Sequence, residues 1–264
     1  MERAVSVSPE GESFPLPMEE DYSREFERLQ ALVTEQRDKG REIVVVVGIG
    51  FVGAVMAAVV ADAEDEKGAP TKFVIGMQRP SVRSFWKIPL MNRGVSPVTS
   101  EDPQVAVLIG RCVQEKKTLT ATYTYDALRL ADVVVVDVQC DYIKESLGDV
   151  EIGNADMVEL EKAFEVIGDK IPAEALVLIE TTVAPGTTEQ IAYPILHKAF
   201  RRRGISGEPI LAHSYERVMP GRDYVDSVRN FWRVCAGVND VSRERVERFL
   251  TDVINTKDYP MVVL

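Results

Sequence analysis

Three glycines at the spacing G-x-G-x-x-G are the residues of this chain that most directly suggest chemistry. Gly48, Gly50 and Gly53 follow a run of β-branched residues and precede a run of small apolar ones. Such a strand, turn and helix can hold a dinucleotide. The first glycine permits the tight turn, the second lets a pyrophosphate approach the backbone, and the third allows close packing of helix on strand. The first helical turn then directs N–H groups at the anion, and Phe51 and Val52, inside the motif, complete the predicted contact set. The alternative, a glycine-rich turn without a ligand, is disfavoured by the flanking strand and helix.

The end of the second predicted strand bears on which dinucleotide binds. NAD sites of this type usually carry an acidic residue about 20 positions after the glycines, where it binds the adenosine ribose. Here the strand Lys72–Met77 is followed by Gln78 and Arg79. Gln78 can bond a ribose hydroxyl but cannot repel a 2′-phosphate. Arg79 could attract that phosphate, stack on the adenine or point to solvent. We therefore predict weak discrimination against NADP.

The fourth predicted strand, 133–138, ends in further candidate cofactor contacts. Val138 and Cys140 lie at its carboxyl end, where ligands bind in open parallel sheets. No base is visibly paired with Cys140. The other two cysteines, Cys112 and Cys235, fall in apolar patterns and are predicted to lie in the core. An odd number of cysteines without a C-x-x-C pair indicates neither a disulfide framework nor a zinc site.

Two further strand ends supply candidate catalytic groups. Thr182 follows the strand 176–181, and its hydroxyl could bond a ligand or an ordered water. Glu216 follows the strand 210–213 and could act as a general base, orient a water or simply pair with Arg217. The residues alone leave these roles of Glu216 open.

The apolar periodicity predicts the elements that must position these residues. Strands alternate with helical patterns, which implies right-handed crossovers and a mainly parallel sheet. We predict an α/β fold, a Rossmann-like doubly wound sheet with an extra N-terminal helix. Strands are predicted at 43–47, 72–77, 119–124, 133–138, 176–181, 210–213, 232–236 and 261–264. Helices are predicted at 53–65, 101–115, 125–130, 156–169, 187–203 and 241–254.

The N-terminal segment differs in composition from the rest. Residues 1–20 carry Pro, Gly, Ser and Glu without periodicity, which predicts a flexible lead-in. Residues 21–39 place their apolar side chains on one helical face, and Gly40 closes the segment. We therefore assign 1–40 to a lead-in with an amphipathic helix and 41–264 to a dinucleotide-binding domain.

Charge and hydropathy exclude several classes of protein. The 264 residues carry a net charge of -11, which argues against a nucleic-acid partner. The apolar runs are shorter than the ~20 residues of a membrane span, and the acidic N-terminus does not resemble a signal peptide. We expect no membrane association and a cytoplasmic location. Because the chain stops within the apolar stretch Met261–Leu264, we expect it to be part of a longer protein.

Three motifs together resemble the UDP-glucose/GDP-mannose dehydrogenase family of nucleotide-sugar dehydrogenases. They are G-I-G-F-V-G, E-T-T-V-A-P-G-T-T and Y-E-R-V-M-P-G-R, each after a predicted strand. The likeness runs from about Arg41 to Leu264, and the third motif looks closer to the UDP-N-acetylhexosamine branch. The resemblance implies NAD as cofactor. It also implies a two-step oxidation of the C6 alcohol of a UDP-sugar to a carboxylate.

The family's functional residues carry over only in part. By position, the glycines would hold the pyrophosphate, Thr182 would contact cofactor and catalytic water, and Glu216 would assist proton transfer. Tyr215 replaces the family's proline before that glutamate, and Pro220 replaces a second acid of the UDP-glucose branch. The joining helix, the nucleotide-sugar domain and the cysteine nucleophile of the family would lie beyond Leu264. The resemblance thus implies a homodimeric full-length enzyme and a chain that is inactive alone.

Two hypotheses of different class follow. The chain is either the cofactor-binding portion of a nucleotide-sugar dehydrogenase or a non-catalytic dinucleotide-binding module that senses or scaffolds. A longer reading frame with a downstream cysteine would distinguish them.

Overall fold

The apolar runs of the sequence form the strands of one central sheet. The computed structural model describes residues 3–143, 154–214 and 218–264. No helix in these ranges is both long and apolar enough to cross a bilayer. In chain order the strands are β1 (Val5–Val7), β2 (Ser13–Pro15), β3 (Glu42–Val47), β4 (Lys72–Met77), β5 (Leu119–Thr122), β6 (Val133–Val136), β7 (Asp141–Ile143), β8 (Asn154–Asp156), β9 (Leu176–Ile179), β10 (Ile210–His213), β11 (Arg233–Gly237) and β12 (Met261–Val263). Among the described residues β1 pairs with β2 and β7 with β8 outside the central sheet, which the other eight strands form.

Helices flank this sheet on both faces. The α-helices are α1 (Glu19–Asp38), α2 (Phe51–Ala61), α3 (Lys87–Asn92), α4 (Pro103–Gly110), α5 (Val158–Lys170), α6 (Tyr193–Arg202), α7 (Tyr224–Arg229) and α8 (Asp240–Val253). A π-helical turn at Arg111–Glu115 extends α4, another at Thr188–Ala192 precedes α6, and a 3₁₀ helix spans Tyr125–Leu130.

The strand order identifies the fold. The eight-stranded sheet runs β12-β11-β10-β9-β6-β3-β4-β5, and the six strands from β5 to β10 are parallel. Renumbered along the chain from β3, these six strands have the order 3-2-1-4-5-6 of a doubly wound dinucleotide-binding sheet. β11 is antiparallel to β10, and β12 runs parallel to β11. The predicted Rossmann-like α/β class is confirmed, and its switch point lies between β3 and β6.

The continuous apolar sequence of β3 reflects burial on both faces. Val44 and Val46 pack into one apolar layer with helices α2 and α4, whereas Ile43, Val45 and Val47 pack into the other with α5 and α6. Because side chains alternate along a strand, a strand covered on both faces needs apolar residues at every position.

Helix α1 fills space that the chain's short crossover leaves open. Between β5 and β6 the connection contains only the 3₁₀ helix, so it cannot cover the sheet as a full crossover helix does. Leu29 and Val33 of α1 are buried there in the same layer as Ile43 and Phe73. The predicted N-terminal helix at 21–39 is confirmed with small shifts at its ends.

Part of the predicted flexible lead-in is ordered. β1 and β2 form an antiparallel hairpin. The Ser6 hydroxyl accepts a hydrogen bond from the Trp86 backbone N–H at 3.2 Å, and Arg93 donates to both carboxylate oxygens of Glu12 at 2.7 and 2.8 Å. The expectation of flexibility is wrong for residues 5–15. Strands of three residues give too short a pattern to recognise. The residues that hold this hairpin in place, Trp86 and Arg93, lie about eighty positions away in the sequence.

At the carboxyl ends of β6 and β9 the observed bounds differ from the predicted ones. These strands end at Val136 and Ile179, two residues earlier than predicted. Val138 and Thr181 therefore belong to loops, which are the segments that reach a ligand in this fold. The sequence pattern also did not predict α3, α7 or the pair β7–β8.

Cys112 and Cys235 are core residues, as predicted. Both are fully buried. Burial raises the pKa of the Cys112 thiol to about 12 and that of Cys235 to about 11. Thiols of this kind are chemically inert near neutral pH.

Candidate dinucleotide site

The glycine turn between β3 and α2 has room for a side chain at only one of its three glycines. Gly48 has φ +99°, and a Cβ there would lie 2.6 Å from the Asp137 carbonyl oxygen. A Cβ at Gly53 would lie 1.8 Å from the Gly48 carbonyl oxygen. At Gly50, the N-cap of α2, a Cβ would meet nothing within 4 Å. This open space beside the N-terminal N–H groups of α2 suits a pyrophosphate, so the residues present fit a dinucleotide.

The turn is anchored on the neighbouring strand β4. The Gly48 N–H donates to the Met77 carbonyl at 2.8 Å, and the Ile49 N–H donates to Oε1 of Gln78 at 3.3 Å. Gly76 leaves room for the Ile49 side chain against β4, because a Cβ at Gly76 would lie 2.7 Å from that side chain. The Gln78 side chain is therefore held at the turn.

On its other side the turn is held by α7, which sequence reasoning missed. The Tyr224 hydroxyl donates to the Phe51 carbonyl at 2.8 Å, and the two rings stack with centroids 4.9 Å apart. Tyr224 is fully buried, whereas Phe51 is 39% exposed. One face of the Phe51 ring is thus packed, and its exposed part lines the cleft.

A cleft extends to both sides of the glycine turn. One part, of about 300 Å³, lies among the ends of β3, β4 and β6 and the start of α5, and the other, of about 280 Å³, lies between α2 and the loops after β6 and β9. Gly50 lines both parts. All ten predicted cofactor-binding residues line one part or the other: Gly48, Gly50, Gln78, Arg79 and Val138 the first, and Gly50, Phe51, Val52, Gly53, Cys140 and Thr182 the second.

The first part of the cleft has a charged rim. Arg79 donates to Oε2 of Glu159 at 3.0 Å, and Lys162 donates to Oε1 of the same carboxylate at 3.0 Å. These cations hold the pKa of Glu159 below its usual value. Lys87 of α3 and Tyr125 line the same part.

In the second part of the cleft, adjacent threonines have different surroundings. The Thr181 hydroxyl lies 2.8 Å from the Val138 carbonyl and 3.2 Å from the Val136 carbonyl, and it joins the ends of β6 and β9. Thr182 is exposed to the cleft opposite Cys140. The Cys140 sulfur lies 3.5 Å from the Met157 sulfur.

A buried ion pair lies next to the two threonines. Glu180, directly before Thr181, accepts a hydrogen bond from Arg233 of β11 at 3.1 Å, and both side chains are fully buried. The sequence pattern did not predict this pair. An arginine between apolar neighbours in a strand pattern is the signal that could have suggested a buried partner.

Glu216, predicted as a catalytic residue, lies outside the described residues, as do its neighbours Tyr215 and Arg217. Its role remains a prediction.

With this geometry established, comparison with known proteins decides the family. Residues 42–253 match the model of the UDP-glucose/GDP-mannose dehydrogenase family, NAD binding domain. The chain belongs to this family. The cofactor of the matched domain is NAD, as predicted.

Several relatives are dehydrogenases of amino-sugar nucleotides. The UDP-N-acetyl-D-mannosamine dehydrogenase of Pyrococcus horikoshii is 36% identical over 93 residues, 35% of this chain and 22% of the relative. The UDP-N-acetyl-D-glucosamine 6-dehydrogenase of Pseudomonas aeruginosa is 27% identical over 142 residues, 54% of this chain and 32% of the relative.

A solved relative covers most of the chain. The NDP-N-acetyl-D-galactosaminuronic acid dehydrogenase of Methanosarcina mazei is 28% identical with a TM-score of 0.71, over 89% of this chain and 46% of its own. The matched part of this chain therefore corresponds to under half of that relative. Both the hairpin and helix α1 precede the residues that match the family.

Proposed function

We propose that this chain is the NAD-binding portion of a nucleotide-sugar dehydrogenase that oxidises the C6 alcohol of a UDP-sugar to the uronic acid in two NAD-dependent steps. The glycine turn carries the proposal, because Gly48 and Gly53 have no room for a side chain while Gly50 leaves open space at a helix N-terminus. The names of the relatives favour a UDP-N-acetylhexosamine as substrate. They also favour a dehydrogenase over a non-catalytic module.

The proposed division of roles follows the two parts of the cleft. N–H groups of Phe51 and Val52 face the pyrophosphate at the start of α2. Gln78 bonds the adenosine ribose. Val138 and Cys140 border the cofactor along the ends of β6. Bound NAD supplies the hydride acceptor.

The groups of this chain that we expect to act on substrate lie in the loops after β9 and β10. The Thr182 hydroxyl, exposed in the cleft, holds a water or a substrate hydroxyl in place by a hydrogen bond. Glu216, as the family resemblance implies, takes part in proton transfer at the substrate oxygen. The ion pair between Glu180 and Arg233 keeps the loop that carries Thr182 in position.

The remaining functions fall to parts of the relatives that this chain does not span. We place sugar binding, the cysteine nucleophile and the main dimer contacts in those parts, and we expect the full-length protein to be a homodimer that binds a nucleotide sugar. The 264-residue chain alone is then expected to bind NAD without oxidising a UDP-sugar.

Calorimetry with NAD, and NADH formation with UDP-N-acetylmannosamine and UDP-N-acetylglucosamine, test this proposal. We expect saturable NAD binding to the chain, loss of that binding in Gly50→Val, and no NADH from the chain alone. Absence of NAD binding by a folded chain would overturn the proposal. Steady NADH formation would refute the proposed division between the two halves. NAD binding without oxidation of any UDP-sugar by the full-length protein would favour the non-catalytic module.

A further inference from the structure

The first part of the cleft, where we place the adenosine of the dinucleotide beside Gln78, carries positive charge. NAD sites usually carry a carboxylate at the corresponding strand end. Gln78, which is neutral, occupies the position after β4. Arg79 follows it, and Lys87 reaches the same part of the cleft from the first turn of α3. A carboxylate at the strand end would exclude a 2′-phosphate by charge repulsion, and this chain has none there.

Lys87 has no carboxylate partner among the residues that the structure describes. Its side chain is half-buried, and burial lowers the pKa of its ammonium group. Its nitrogen lies 5.8 Å from the centroid of the Trp86 ring. A partly desolvated cation is stabilised by an anion brought into contact with it. The cleft therefore offers an anion a favourable position beside Lys87.

Arg79 can turn towards such an anion at little cost. Its pair with Glu159 is exposed on both sides, and exposed ion pairs are weak. The two oxygens of Glu159 are bound separately, one by Arg79 and one by Lys162. If Arg79 leaves, Lys162 still neutralises Glu159. A guanidinium group also matches the geometry of phosphate oxygens.

We propose that this end of the cleft accepts a 2′-phosphorylated dinucleotide, NADP, as well as NAD, with Lys87 and Arg79 as the phosphate-binding cations. The inference rests on the proposed dinucleotide-binding function and adds a second cofactor to it. Gln78 serves both cofactors, because its amide can bond a ribose hydroxyl and does not repel a phosphate.

Calorimetric titrations of the 264-residue chain with NAD and with NADP test the inference. We expect the two dissociation constants to differ by less than about tenfold in the unmodified chain. Each of Lys87→Gln and Arg79→Gln should weaken NADP binding by about tenfold or more, because each removes a charged hydrogen-bond donor to the phosphate. In Lys87→Gln, NAD binding should change by less than about twofold, and Gln78→Asp should give a clear preference for NAD. Lys170→Gln is the matched control, since Lys170 pairs with Asp126 and does not line the cleft.

The possible outcomes distinguish failure of the NADP proposal from failure of the proposed dinucleotide-binding function. Intact NAD binding with a preference for NAD above about a hundredfold would overturn the NADP proposal and leave the dehydrogenase proposal standing. Equal weakening of both cofactors in Lys87→Gln would place Lys87 at the pyrophosphate and would also overturn it. If the folded chain binds neither dinucleotide, the proposed function itself fails.

Discussion

Alanine substitutions at two glycines of the same turn should affect different properties, stability in one case and NAD affinity in the other. In Gly53→Ala the added methyl group would lie 1.8 Å from the Gly48 carbonyl oxygen. An unstrained contact between carbon and oxygen requires about 3.3 Å, so the helix and the turn would have to separate by about 1.5 Å. The residues of α2 from Gly53 to Ala61 are all buried, and such a shift would disturb the packing along the helix. Overpacking costs roughly 1–3 kcal/mol, and we expect the upper end of that range, about 3 kcal/mol, because the clash is with backbone.

Gly50→Ala adds the same methyl group in open space. Nothing lies within 4 Å of the added atom, and the backbone there has φ -75°, which alanine adopts readily. Alanine is a poorer N-cap than glycine, which should lower the free energy of unfolding by less than about 1 kcal/mol. The methyl group would occupy the proposed pyrophosphate position. We therefore expect NAD affinity to fall by at least about tenfold, equivalent to about 1.4 kcal/mol.

Thermal denaturation and calorimetry separate the two effects. The expected loss of about 3 kcal/mol in Gly53→Ala corresponds to a Tm about 6–12 °C lower, whereas Gly50→Ala should remain within about 4 °C of the unmodified chain. An unchanged Tm in Gly53→Ala would refute the argument from close packing. Unchanged NAD affinity in a folded Gly50→Ala variant would refute the assignment of the pyrophosphate position.

Two further predictions concern stability. Asp62, the C-cap of α2, is contacted by Arg111, Lys116 and Arg229. Burial raises the pKa of Asp62, but Lys116 and Arg229 outweigh burial, and the pKa lies below its usual value. Asp62→Asn should therefore lower the free energy of unfolding by about 2 kcal/mol near neutral pH. This value already allows for the partial exposure of the cations. The difference in free energy of unfolding between the two chains should shrink as the pH falls below about 4, because the lowered pKa stabilises the fold only while the carboxylate is ionised. Urea denaturation across this pH range measures the difference. A difference that stays constant with pH would contradict the prediction. Leu29→Ala in α1 should cost about 2–5 kcal/mol, because Leu29 is fully buried on the sheet. The exposed Thr34→Ala should change stability by less than about 0.5 kcal/mol, and equal effects in these two variants would mean that α1 does not fold with the domain.

Local patterns were sufficient for most of the central sheet. β4 and β10 have the predicted bounds, and β3 differs by one residue. These strands are covered on both faces, and a strand so covered shows its burial as an unbroken apolar run. The glycine spacing likewise predicted the turn, because the close contact between Gly48 and Gly53 joins residues only five positions apart.

The ends of the strands were less predictable than their centres. One acidic residue follows each of β6 and β9, and an apolar or hydroxyl-bearing residue, Val138 or Thr181, comes next. The predicted strands therefore extended into loops that border the cleft. The Thr181 hydroxyl contacts two carbonyl groups of the neighbouring strand end, more than forty positions away in the sequence. Periodicity contains no information on such pairing.

The sequence by itself determined the class of fold and the position of the dinucleotide turn, because both depend on the order of residues along short segments. Only the tertiary structure decided which side chains complete the site. Arg233 reaches Glu180 across 53 positions, Tyr224 reaches Phe51 across 173, and Lys87 enters the cleft from a helix that the sequence analysis missed. These contacts depend on the order in which strands associate in the sheet. That order brings distant segments together through burial and hydrogen bonding of the whole domain, and no local spacing records it.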